Sequence, residues 1–109
     1  MNTATSPHRL VGPEEFETAL TDRSATVINV HVPYESEIEG TDLFMPFDAL
    51  DPAQLPTDRA SKLLVYCRSG KMSDIASTTL VDLGYINVIE LDGGMQAWTS
   101  SGRSLVDKT

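Results

Sequence analysis

The 109 residues predict an α/β fold in which a central parallel sheet of about five strands is flanked by helices on both faces. Short β-branched or apolar runs of the kind that form buried strands recur along the chain. Between them lie stretches with helical periodicity, and this alternation is the signature of a parallel sheet covered on both sides. Glycine and proline turn signals punctuate the changes from one to the other.

Arg9-Leu10-Val11 reads as a short first strand. After Gly12-Pro13, the run Glu14 to Leu20 predicts a helix with proline near its first turn, acids at its positive end and Phe16, Ala19 and Leu20 as its apolar face. Thr26 to Val30 is a second, buried strand, ended by Val32-Pro33. Tyr34 to Asp42 is polar, contains Gly40 and reads as a loop beside a site. Leu43-Phe44-Met45 is a brief third strand stopped by Pro46, and Asp51 to Leu55 suggests one helical turn with an Asp cap. Leu63 to Tyr66 is the fourth strand. Met72, Ile75, Ala76, Thr79, Leu80 and Leu83 then recur at helical spacing, and Gly84 stops that helix as a C′ glycine does. Ile86 to Leu91 is a fifth strand, Asp92-Gly93-Gly94 a turn, and Met95-Gln96-Ala97-Trp98 opens a last helix that ends near Gly102, with Trp98 a core anchor.

The length fits one domain spanning 1–109, with residues 1–7 read as a flexible N-terminal segment. Apolar stretches are too short for a membrane span, and the first residues lack the apolar core of a secretory signal, so a soluble, cytoplasmic protein is expected. A net charge of −8 opposes binding to nucleic acid or anionic lipid. The single cysteine excludes an internal disulfide and suits a reducing compartment or a working thiol.

That cysteine, Cys67, sits where the fourth strand passes into the clearest helix. A strand that feeds a helix through a tight loop gathers amide N–H groups into an anion-binding bowl at the positive end of the helix dipole. Cys67 at its lip is expected to be an exposed thiol whose thiolate is stabilised by those amides and by Arg68 and Lys71. Ser69 and Ser73 can donate hydroxyl hydrogen bonds, Ser73 also as helix N-cap, and Gly70 supplies a conformation that a side chain would hinder. His8 and His31 read as surface or structural residues, and the acids of the Tyr34 to Asp42 loop as solvated.

The pattern Cys67-Arg68-Ser69-Gly70-Lys71-Met72-Ser73 after an apolar strand resembles the active-site loop of the rhodanese sulfurtransferases. Val27-Ile28-Asn29-Val30-His31 is similar to the family's early strand, and Leu83-Gly84-Tyr85 with Asp92-Gly93-Gly94-Met95-Gln96-Ala97-Trp98 to its closing segment. The resemblance implies a rhodanese-like fold and a sulfurtransferase: Cys67 takes sulfane sulfur from thiosulfate or a persulfide, carries it as a persulfide and passes it to a thiophilic acceptor. It implies no metal and no cofactor. Partners are then a small anionic sulfur donor and a thiol acceptor, or a protein serving as donor or acceptor, with Arg68, Ser69, Gly70, Lys71, Met72 and Ser73 forming the persulfide cradle. Asn29 and His31 stand where the family usually has Asp and Arg, and Met72 where thiosulfate-preferring members commonly carry a second cation. Two other readings stay open: a non-catalytic or regulatory binding module on the same fold, and a cysteine-dependent phosphatase or arsenate reductase. The latter's Cys-x5-Arg loop would need arginine at the position of Ser73.

Overall fold

The structure, a computed structural model, describes residues 8–107, so the segment 1–7 lies outside the described residues. Its five strands, β1 (Arg9–Val11), β2 (Thr26–Asn29), β3 (Leu43–Phe44), β4 (Leu63–Tyr66) and β5 (Val88–Leu91), form one sheet in the order β1-β5-β4-β2-β3. Every pairing is parallel. β3 ends one residue earlier than Met45, because Pro46 beyond it has no N–H to continue a ladder. β5 likewise begins at Val88, two residues after Ile86.

Three helices complete the fold: α1 (Pro13–Ala19), α2 (Lys71–Asp82) and α3 (Gly94–Ser100). Pro13 occupies the first turn of α1, with Glu14 and Glu15 at its positive end. α2 stops as its sequence dictates. Gly84 takes φ +101°, its N–H reaches the Val81 carbonyl at 2.9 Å and the Tyr85 N–H reaches Leu80 at 3.2 Å, the paired bonds of a Schellman cap. A 3₁₀ turn at Pro52–Gln54 is capped by Asp51, whose carboxylate accepts the Ala53 N–H at 3.0 Å.

Alternation along the central strands divides the interior into two apolar layers. Val27, Leu64, Tyr66, Ile89 and Leu91 pack with Phe16 of α1 and Met95 and Trp98 of α3. Ile28, Leu63, Val65, Cys67 and Val88 pack on the other side with Ala76 and Leu80 of α2. Helices thus cover both faces. Phe16 meets Tyr66 and Trp98 edge-on at centroid distances of 6.2 and 6.3 Å, which makes Trp98 the anchor its sequence position suggests.

The Tyr34 to Asp42 segment is pinned to this body, although Glu35, Glu39 and Asp42 are exposed as expected and only Glu37 among its acids is buried. Ile38 is buried, Glu37 forms a bridge with Val106, and the buried Tyr66 hydroxyl accepts the Ile38 N–H at 3.0 Å. That hydroxyl also meets Thr41 Oγ1 at 2.7 Å, while Thr41 donates to the Ile38 carbonyl at 2.6 Å. Burial pushes the Tyr66 phenol up to about 12, so it stays protonated and keeps both contacts across the physiological range. Tyr66→Phe leaves the Ile38 N–H without its acceptor and is expected to cost about 1–3 kcal/mol. Urea unfolding measures the loss, and hydrogen exchange should show the Ile38 amide losing protection before the strands do.

Candidate active site

Strands β2 and β4 are neighbours, but the chain leaves them in opposite directions, β2 toward β3 and β4 across β5. The crevice beyond their carboxyl ends is the switch point at which open α/β sheets bind ligands. Cys67 follows β4 and His31 lies two residues past β2, so both fall there. A cleft of about 410 Å³ opens at this place, lined by His31, Cys67, Arg68, Ser69, Lys71, Met72 and Gln96. A second cleft of about 420 Å³, bounded by Leu20, Asp22, Arg23, Glu39 and Asp42, contains no nucleophile.

Cys67 is 1 % exposed, not the exposed lip residue that the sequence suggests. Its side chain belongs to the α2-side apolar layer because the strand alternation of β4 carries through to it. Cys67 nevertheless lines the cleft, and its sulfur is held by the loop that follows. The Gly70 N–H donates to Sγ at 3.0 Å, and Sγ lies 3.4 Å from Ser73 Oγ. Gly70 has φ +109°, a conformation that a side chain would strain, and it caps α2 with no side-chain contribution.

Ser73 is therefore not the N-cap. It is the third residue of α2, fully buried, and its hydroxyl donates to Glu90 Oε2 at 2.6 Å with a weaker alternative at the Gly70 carbonyl, 3.2 Å away. The helix begins three residues earlier than an N-cap at Ser73 requires, because left-handed Gly70 already turns the chain into it. Lys71, Met72 and Ser73 thus supply the first helical amides, which have no carbonyl in a preceding turn.

Arg68, Ser69 and Lys71 are exposed on the cleft rim, and Met72 is half-buried within it. Arg68 is not an isolated cation. Glu35 Oε2 lies 3.7 Å from its guanidinium and 3.5 Å from His31 Nε2. His31, read from sequence as structural, is 7 % exposed and lines the cleft, so the expectation is half met. Asn29 fixes it: Asn29 Oδ1 accepts the His31 N–H at 3.0 Å and Nδ2 donates to the Ser36 carbonyl at 3.1 Å, a neutral network between β2 and the rim.

The other wall comes from the start of α3. The Met95 and Gln96 N–H groups donate to the Cys67 and Arg68 carbonyls at 2.8 and 2.9 Å. Such closeness requires glycine, since a Cβ on Gly94 would stand 2.3 Å from the Cys67 oxygen and 2.7 Å from the Arg68 carbonyl. Sequence reasoning took Gly93-Gly94 as a turn and passed over Gln96. Its place just past the strand adjoining β4 was the available signal.

His8, Asp74 and Glu90 bring ligand-type atoms within 4.8 Å of one another, and His8 Nε2 stands 2.8 Å from Glu90 Oε1. Burial, opposed by the Ser73 hydrogen bond and the charge of His8, holds the Glu90 carboxyl above the ordinary carboxylate range.

The family model of the rhodanese-like domain matches residues 13–101. This chain belongs to the rhodanese-like domain family. An uncharacterized protein from Synechocystis is 28% identical over 104 residues, which is 94% of this chain and 58% of that protein. The adenylyltransferase and sulfurtransferase UBA4 of Meyerozyma guilliermondii is 35% identical over 71 residues, 65% of this chain and 16% of the longer protein. The chain thus spans less than two-thirds of either relative. A crystal structure of a rhodanese-related protein from Thermoplasma volcanium superposes with a TM-score of 0.71 at 25% identity, covering 90% of this chain and 97% of that one.

A rhodanese-like domain with α3 pressed onto its cysteine loop has little tolerance at the contact. Gly94→Ala is expected to destabilise by on the order of 3 kcal/mol, from overpacking against backbone and from the φ of +56° that alanine resists. Thermal unfolding would register it, together with a faster rate of Cys67 alkylation as the loop loosens.

Proposed function

We propose that the protein is a sulfurtransferase that carries sulfane sulfur as a persulfide on Cys67. The observation that supports this most directly is Cys67 lining an α/β crevice, its sulfur bonded to the Gly70 amide and followed by the unpaired first amides of α2. Sulfurtransferase-named relatives agree with the reading.

In the first half-reaction the Cys67 thiolate attacks the outer sulfur of the donor. With thiosulfate, a new S–S bond forms, the sulfur–sulfur bond of the donor breaks, and sulfite leaves with the electron pair. Cys67 then bears a terminal persulfide anion, and backbone N–H groups suit such an anion without any base beside it. In the second half-reaction an acceptor thiolate attacks that terminal sulfur and Cys67 leaves as thiolate, a ping-pong cycle. Arg68 and Lys71 on the rim draw in an anionic donor, Ser69 lies beside them, and Met72 adds apolar surface instead of a further charge. We assign donors that bring their own persulfide, small or protein-borne, at least the standing of thiosulfate, since Glu35 already faces Arg68. A reducing compartment such as the cytoplasm would keep Cys67 free to cycle.

The phosphatase reading fares worse. A tetrahedral oxyanion in the loop would need a cation where Ser73 stands, and Ser73 instead binds the carboxylate of Glu90.

Intact-mass spectrometry after incubation with thiosulfate, and separately with a small persulfide, is expected to show gain of one sulfur atom on the wild type and none on Cys67→Ala. Absence of loading from both donors would sink the proposal. Arg68→Ala and Lys71→Ala are expected to slow loading from thiosulfate by about tenfold at low ionic strength. The difference should shrink in high salt, which stopped-flow loading rates can follow.

A further inference from the structure

Glu90 occupies a position where the alternation of β5 calls for an apolar side chain, next to Val88 in the layer beneath α2. It is 1 % exposed. A buried carboxylate costs several kcal/mol unless its oxygens are met, so its contacts carry information. Oε2 accepts the Ser73 hydroxyl at 2.6 Å, and Ser73 Oγ is 3.4 Å from the Cys67 sulfur. An unbroken line of three side chains therefore runs from the nucleophile into the core.

We propose that Ser73 and Glu90 form a relay that accepts the Cys67 thiol proton and stores it while the thiolate reacts, a role that rests on the sulfurtransferase reading. The S–H bond breaks as its proton passes to Ser73 Oγ. The hydroxyl proton of Ser73 passes in the same movement to Glu90 Oε2. Ser73 ends by donating to the thiolate, and Glu90 ends as a neutral acid donating to Ser73. Charge moves from carboxylate to sulfur with no net change and no redox partner. When the acceptor removes the sulfane sulfur and Cys67 departs as thiolate, the proton returns by the same line.

The surroundings of Glu90 suit the role. Burial, with the charge of Asp74 added, raises its affinity for a proton above that of an ordinary carboxylate, against the pull of the Ser73 hydrogen bond and of His8, which favours its taking a proton. The groups that face it are His8 ahead of β1, Ser73 and Asp74 on α2 and Cys67 beyond β4, while Lys71 and Asp92 border the same hollow. Glu90 acts through Ser73 and is a positioning residue. Ser73 touches the reacting atom.

Alkylation of Cys67 by iodoacetamide, followed by mass spectrometry between about pH 5 and 9, reads the thiolate directly. In the wild type the logarithm of the rate should flatten over the pH range in which Cys67 and Glu90 share a single proton, because there the thiolate–carboxylic acid pair is a tautomer whose population does not depend on pH. In Glu90→Gln the rate should instead keep falling by about tenfold per pH unit. Ser73→Ala, with Glu90 intact, should also abolish the plateau, and it decides the matter alone if circular dichroism shows Glu90→Gln to be unfolded. A wild-type profile without a plateau, or a plateau that survives both substitutions, overturns the relay. Sulfur loading of the wild type is read separately: loading without a plateau refutes the relay alone, whereas a plateau without loading refutes the sulfurtransferase reading alone.

Discussion

The two hydrogen bonds from the Met95 and Gln96 amides to the Cys67 and Arg68 carbonyls govern the rest of the site. They fix where the strand ends and which way the loop turns. Because a trans peptide holds its C=O and the following N–H on opposite sides, aiming these carbonyls at α3 sends the Arg68 and Ser69 amides the other way. The same bonds satisfy the exposed amides at the start of α3, which otherwise would need a cap or water. One contact thus finishes a helix and shapes a loop, and it exists because Gly94 has no side chain.

Electrostatics at the rim are more balanced than the local sequence suggests. Arg68 and Lys71 stand out as cations on an acidic chain, but folding brings Glu35 within reach of both Arg68 and His31. Exposed pairs of this length are weak and are screened by salt, so an incoming anion competes with Glu35 at modest cost. The interior follows other rules. Glu90 and Ser73 are shielded from solvent, and there a contact of 2.6 Å is held by the packing of two elements rather than by the charges alone.

Much of the fold was legible because its signals are local. Gly84 ends α2 through bonds within one turn, Pro13 and its acids start α1, and the apolar runs of β2 and β4 name the sheet centre. Cys67 was legible for the same reason, as a nucleophile at a strand-to-helix junction. What sequence missed depends on pairs far apart in the chain. Glu90 sits inside an otherwise apolar run, and only the proximity of α2 to β5 gives it Ser73. His31 and Gln96 become wall residues because β2 and α3 flank β4, an adjacency set by the strand order rather than by the residues beside them in the chain. Ser73 was misplaced as a cap because serine favours that role, whereas a left-handed glycine before Lys71 had already taken it.

β4 has one further consequence. Tyr66 and Cys67 are adjacent in the chain, yet the pleat sends their side chains to opposite layers, the phenol to fasten the rim segment and the thiol to the cleft. One strand thus divides two tasks between adjacent residues: a phenol that stays protonated up to about 12 holds the scaffold on one face, while the thiol lines the cleft on the other.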